Sequence, residues 1–158
     1  MAQVKTNAMR ILDAKGICYN SMIYDSKDGK IDGVSVAKKV GRDPRTVYKT
    51  LVTQGNSRNI YVFIIPVEAE LDLKKAAIAA GEKKVDMIHV KDIQKLTGYI
   101  RGGCSPIGMK KNYPTYLEQE ALSLENIAVS GGRIGVQIDL PVEELKKATG
   151  AVVADLIK

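Results

Sequence analysis

The sequence predicts an α/β fold of the α+β kind, a mixed, curved sheet with peripheral helices. Three observations carry this. Strand-like runs occur both as a hairpin pair and between amphipathic helices, so the chain does not repeat βα units. Residues 59–65 are apolar almost throughout, as a central strand covered on both faces must be. No strand leads into a GxGxxG turn, which argues against a doubly wound dinucleotide fold.

The elements follow from local chemistry. A helix is expected over 6–15, where Thr6 can cap, Ala8, Ile11 and Leu12 share a face, and Gly16 ends the run. Residues 18–24 read as a strand, 25–33 as a polar loop, and 34–40 as a short helix stopped by Gly41. Asp43-Pro44 begins a turn into a β-branched strand, 47–53. Gln54-Gly55-Asn56-Ser57 turns it into the apolar strand 59–65, which Pro66 stops. A helix over 72–80 would bury Leu73, Ala76, Ala77 and Ala80, with Gly81 past its end. A short strand at 85–89 and a short helix at 91–96 precede a glycine loop. Strands follow at 115–118 and 126–130, then a turn at 130–133. Ile134, Val136, Ile138 and Leu140 alternate with polar residues as a half-buried strand does. Pro141 suits a helix start, that helix reaches Thr149, and an amphipathic piece covers 152–157.

At 158 residues the chain is expected to be one domain, 1–158, with a real core. No linker, repeat or low-complexity tract divides it. No stretch reaches the roughly 18 apolar residues of a membrane span, so no membrane partner is expected. Residues 1–5 lack the apolar core of a signal peptide. Cys18 and Cys104 form no metal or redox spacing and suit a reducing cytosol, hence a cytoplasmic location. The net charge of +6 permits a polyanionic partner and is equally met in ordinary solvated surfaces.

The chemistry-bearing residues are few. His89 is the single histidine, in an alternating segment without a nucleophile elbow, so a Ser-His-Asp or Cys-His device is disfavoured. One histidine and two distant cysteines predict no metal site. Cys104 sits in the glycine loop but has no evident base, which favours packing over catalysis. Lys49 lies within a strand-forming run, sharing a face with Val47 and Leu51, and Tyr48 and Thr50 take the other. Either Lys49 is an edge lysine in solvent, or it points into a cavity and meets an anion. Seven of the 14 glycines fall between Gly98 and Gly135, a density that lets backbone N–H groups approach a ligand. No Walker-type Gly-Lys-Ser/Thr ending accompanies them, so ATP is not indicated.

Taken together, Val47-Tyr48-Lys49-Thr50-Leu51, Leu71-Asp72-Leu73-Lys74-Lys75, Thr97-Gly98-Tyr99, Gly102-Gly103 with Ser105-Pro106, and Val129-Ser130-Gly131-Gly132 resemble the YbaK/EbsC family of Cys-tRNA(Pro) deacylases. These are relatives of the editing domain of bacterial prolyl-tRNA synthetase. The resemblance implies a sheet rolled toward a barrel and a trans-editing hydrolase, an aminoacyl-tRNA deacylase. It implies aminoacyl-tRNA, specifically Cys-tRNA(Pro), as partner, prolyl-tRNA synthetase as a candidate second partner, and no cofactor. It also implies substrate-assisted catalysis, in which the cysteine thiol attacks its own ester carbonyl. By motif, Lys49 and Gly102 take the catalytic positions. Tyr24, Thr50, Ser130, Gln137 and, as a candidate, Ile31 take substrate-binding positions. The chain departs from the family at two of these. Gln137 stands where better-known members carry aspartate, and Ile31 is the candidate for a pocket phenylalanine. Both bear on amino-acid specificity. Two other readings remain: a non-catalytic tRNA- or synthetase-binding module, and an esterase for another small aminoacyl ester.

Overall fold

Helix α1 (Asn7–Ala14) starts where the Thr6 hydroxyl accepts from the Met9 amide at 3.2 Å. It stops before Gly16, whose φ of +70° no β-carbon opposes. These are the caps that the sequence predicts. The computed structural model describes residues 5–158; Met1 to Val4, which belong to the stretch expected to lack a signal-peptide core, lie outside the described residues.

Strand β1 (Asn20–Ile23) and helix α2 (Gly33–Lys39) come next, then a 3-10 turn (Pro44–Thr46). Strands β2 (Tyr48–Gly55) and β3 (Ile60–Pro66) form the predicted hairpin. Helix α3 (Leu73–Ala80), strand β4 (Val85–Met87) and helix α4 (Val90–Thr97) lead to the glycine loop. Strand β5 (Thr115–Glu118) and a 3-10 turn (Gln119–Ser123) precede the second hairpin, β6 (Asn126–Arg133) and β7 (Val136–Pro141). Helix α5 (Val142–Thr149) and strand β8 (Val152–Ala154) follow.

The rolled sheet is built as two. One has the order β1-β7-β6, the other β4-β2-β3-β5-β8. The β3–β5 and β5–β8 pairs are parallel and the rest antiparallel, which makes the architecture mixed. A parallel bridge between Val47 and Ala128 joins the two sheets at one seam. Leu12, Tyr48, Ile64, Leu117, Ile138 and Leu145 fill the first core. Phe63, Ile65, Ala76, Ala77 and Leu156 fill a second core, where α3 packs. Strand β3 therefore has a buried residue for each side: Ile64 in the first core, Phe63 and Ile65 in the second, all 0% exposed. This explains its unbroken apolar sequence.

Parallel pairing brings β8 beside β5, and a buried carboxylate secures the stretch that follows. Glu118, 1% exposed, accepts from the Leu156 and Glu120 amides, each at 2.9 Å.

Two expectations change. Leu73 is 40% exposed, because the small Ala76 and Ala77 form the buried face of α3 and Leu73 lies in its first turn. Residues 130–133 are not the turn but a bulged continuation of β6. The chain reverses at Ile134 and Gly135, with Gly135 at φ +93°.

Candidate functional site

A cavity of about 650 Å³ opens where the start of β2 meets residues 29–34, the glycine loop and the β6–β7 hairpin. Tyr24, Ile31, Lys49, Thr50, Gly102, Ser130 and Gln137 all line it. The structure thus brings together all seven residues singled out in the sequence, although they lie on five separate segments.

Strand β2 sends two of them to opposite faces. Lys49 pairs with Ile65, part of the second core, and Thr50 pairs with Ile64, part of the first. Both reach the cavity because β2 begins at its rim. Lys49 is half-buried, and desolvation lowers its ammonium pKa while the Glu70 charge partly opposes that shift. Among the described residues no ion pair includes it. A half-dehydrated cation without an ion-pair partner is suited to an anionic or strongly dipolar ligand.

Register sets the opposite wall. Gln137 in β7 pairs with Ser130 in β6 and with Met22 in β1, so Gln137 and Ser130 share a face. The Ser130 hydroxyl accepts from the Gly132 amide at 3.2 Å, which holds the bulge. Tyr24 follows β1, its amide donating to the Gly135 carbonyl at 3.0 Å.

Lys39, which sequence reasoning missed, orders the loop that carries Ile31. Its ammonium donates to the Asp25 carbonyl at 2.6 Å, the Asp28 carboxylate at 2.7 Å and the Lys30 carbonyl at 3.0 Å. It also lies 5.9 Å from the Tyr24 ring centroid. The hydrogen bond from Lys39 is the main cause holding the Asp28 carboxyl below its usual range. A helix-capping pattern, Asp32 followed three residues later by Ser35, could have located the end of this loop. The Asp32 carboxylate accepts from the Ser35 amide at 3.1 Å, which commits the one carboxylate lining the cavity.

The glycine loop is clamped. The Tyr99 hydroxyl donates to the Ile107 carbonyl at 2.5 Å, Asn7 to the Gly108 carbonyl at 3.0 Å, and the Gly103 amide to the Ile100 carbonyl at 3.0 Å. Gly102 has φ +86°, and a β-carbon there would meet Ile31 Cδ1 at 2.7 Å. At Gly103 a β-carbon would meet the Ile134 backbone nitrogen at 2.8 Å. The loop backbone therefore touches the β6–β7 turn with no room for side chains.

Four buried polar atoms have no hydrogen-bond partner among the described residues and belong to residues lining this one cavity: Tyr24 OH, Tyr48 OH, Thr50 Oγ1 and Gln137 Oε1. Each such group costs about 1–3 kcal/mol if left unsatisfied; the Tyr48 ring belongs to the first core, whereas Tyr24, Thr50 and Gln137 are the three that sequence motifs also place at the site. A fifth, Asp139 Oδ1, lies 2.9 Å from Arg42 Nη1, an ion-pair contact without hydrogen-bond alignment.

The conventional nucleophiles fit poorly. The Cys104 sulfur lines the cavity 4.0 Å from Thr97 Oγ1, and burial pushes its thiol up to about 11. It is protonated at neutral pH and weakly nucleophilic. His89 is exposed, borders a different cavity, and cannot serve as base here. Among the described residues no three His, Cys, Asp or Glu side chains gather to hold a metal, and no helix is long and apolar enough to cross a membrane.

The family model for the aminoacyl-tRNA editing domain matches residues 32–148. A protein of Enterococcus faecalis, provisionally named Cys-tRNA(Pro)/Cys-tRNA(Cys) deacylase EbsC, is 46% identical over 154 residues, covering 98% of this chain and 94% of that protein. A solved structure, provisionally described as a trans-editing enzyme for prolyl tRNA synthetase, superposes with a TM-score of 0.86 at 26% identity, covering 99% of each chain. A crystal structure of a hypothetical protein gives a TM-score of 0.88 at 25% identity, covering 97% of this chain and 100% of that one.

Proposed function

Because the chain belongs to the aminoacyl-tRNA editing domain family, we propose that its pocket removes cysteine wrongly esterified to tRNA(Pro). The observation that carries this reading is the set of unpartnered buried polar atoms around a cavity that Lys49 also lines. A cysteinyl ester of a terminal ribose offers matching chemistry: an ammonium that donates, a carbonyl that accepts and a hydroxyl that does both. Gln137 Oε1 can only accept, so it takes an ammonium N–H. Thr50 and Tyr24 hydroxyls take the ribose hydroxyl or the carbonyl. Lys49 and the Gly102 amide stabilise the oxygen on which negative charge develops. The relatives' names support this assignment of substrate and of hydrolytic chemistry.

The pocket needs no protein nucleophile if the substrate supplies one. The cysteine sulfur attacks the ester carbonyl carbon, a carbon–sulfur bond forms, and the bond from that carbon to the ribose oxygen breaks. The ribose oxygen leaves with a proton, and water opens the resulting cyclic thiolactone. The protein's contribution is to hold sulfur and carbonyl within reach, which can supply several kcal/mol of the barrier. Deacylation of Cys-tRNA(Pro) with Ala-tRNA(Pro) spared is the expected result with purified protein. Equal loss of alanine would reject thiol assistance in favour of protein-held water. Loss of neither, with tRNA still bound, would leave a binding module.

Cys104→Ala is expected to change kcat/KM by less than about threefold, since its protonated thiol packs rather than reacts. Abolished activity would instead support a Cys104 esterase. The neutral Gln137 gives the ammonium a hydrogen bond but no charge, so sulfur placement must provide more of the selectivity. A complex with prolyl-tRNA synthetase is the finer part of this reading. Cross-linking in a cell extract tests it, and failure to recover that synthetase counts against the complex alone.

A further inference from the structure

We infer that the acceptor end of the bound tRNA leaves the first cavity across the glycine loop and runs into a second cavity, whose lysines Lys15, Lys111 and Lys147 hold its phosphates. This rests on the reading above. Between Asp92 and Glu118 the chain carries Lys95, Arg101, Lys110 and Lys111 and no acidic residue. Arg101 lines the first cavity. The Lys110 side chain packs over Gly98, where a β-carbon would meet its Cγ at 3.3 Å, and its amide donates to the Thr97 carbonyl at 3.0 Å. Lys111 lines the second cavity, of about 390 Å³, on the far side of the loop. The charged residues lining that cavity are Lys15, Lys111 and Lys147, with no carboxylate. Basic residues thus line both cavities, Arg101 in the first and Lys111 in the second, and Lys110 lies on the loop that joins them.

Lysines near helix ends have an ordinary explanation, and Lys15 caps α1 while Lys147 lies in the last turn of α5. Lys111 belongs to neither helix. Among the described residues Lys15 and Lys111 enter no ion pair. The contact of Lys147 with Glu144 is 3.7 Å at 72% side-chain exposure, too open to commit the ammonium. The carboxylate lining the first cavity, Asp32, lies on the segment 29–34 rather than on the glycine loop. The hydrogen bonds that clamp the glycine loop keep it preformed.

The test is the triple variant Lys15→Gln, Lys111→Gln, Lys147→Gln, assayed on Cys-tRNA(Pro) and on the cysteinyl ester of adenosine alone. We expect KM for the tRNA to rise about tenfold near 0.1 M salt, kcat to hold, and the salt dependence to flatten by about two phosphate contacts. Turnover of the adenosine ester should be unchanged. Unchanged KM and salt slope would overturn the inference, and so would an equal loss on both substrates. Single charge reversals, Lys111→Glu and Lys147→Glu, with melting curves alongside, guard against misfolding and should each weaken tRNA more than the adenosine ester. If the unaltered protein cleaves neither substrate, the editing reading fails. Anisotropy with uncharged tRNA then still tests the surface: loss of affinity in the triple variant upholds it, and equal affinity rejects it.

Discussion

Replacing Lys49 with alanine is expected to lower kcat/KM for Cys-tRNA(Pro) by about 100- to 1,000-fold, the range for losing a group that stabilises developing negative charge. Stability should not fall with it. Burial lowers the pKa of the Lys49 ammonium from 10.5, so the folded protein holds that proton less tightly than the unfolded chain. The cost is fully present below the lowered folded-state value and is relieved as pH rises through the window up to 10.5. Lys49→Ala removes that cost, and its melting temperature at neutral pH should equal or exceed that of the parent. Activity is expected to run the other way, because the role proposed for Lys49 needs its charged form. Lysine-dependent turnover should decline at a lower pH than for an exposed lysine, and Lys49→Arg, which stays charged, should shift that decline upward. Thiol ionisation in the substrate acts on both enzymes alike, so their ratio isolates the lysine. Unchanged kcat/KM in Lys49→Ala would remove the residue from the reaction.

Gly102→Ala should be the second severe lesion, with a loss in kcat/KM of about 100-fold and a drop in melting temperature of only a few degrees. Two physical effects combine. The residue sits at φ +86°, where an L side chain is strained by about 1–2 kcal/mol. The new methyl would also stand 2.7 Å from Ile31 Cδ1 and press on the wall of the cavity. Adding Ile31→Ala separates them. Space is restored while strain remains, so recovery of activity in the double variant assigns the loss to crowding. Persistent loss assigns it to displaced backbone and to the amide proposed to meet the substrate. Full activity in Gly102→Ala alone would show that this backbone does not meet the reacting ester.

Local signals were read well where the physics is local. Thr6 and Asp72 cap their helices as short polar acceptors do, and Gly16 and Gly81 follow helix ends in the left-handed region. Strand β5 has the bounds expected from its sequence. The pairing of Asn20 with Asp139 could not be read, since it joins segments more than a hundred residues apart. The seam at Val47 and Ala128 could not be read either, since it too joins segments distant in the chain. The glycines at 131 and 132 suggested a turn because glycine relaxes turns and bulges equally, and only the register with Val136 decides between them. At the site, the motif residues were legible by family resemblance, whereas the unpartnered Tyr48 hydroxyl was not. Its environment comes from residues brought together by the fold. Lys39 escaped notice for the same reason: a lysine at a helix end says nothing about the loop it will clasp.

The Glu118 carboxylate that receives the Leu156 amide has a consequence for synthesis of the chain. Strand β5 gains that partner only after 38 further residues have been made. The second core lacks Leu156 until then. On the ribosome, the two β-hairpins can form early, but the edge of the larger sheet must wait for residues 152–157 to emerge. A released chain truncated after Gly150 should therefore be protease-sensitive at β5 although the Lys49 strand is already paired. Such a chain would hold most of the pocket's residues and still lack the sheet edge that completes the second core.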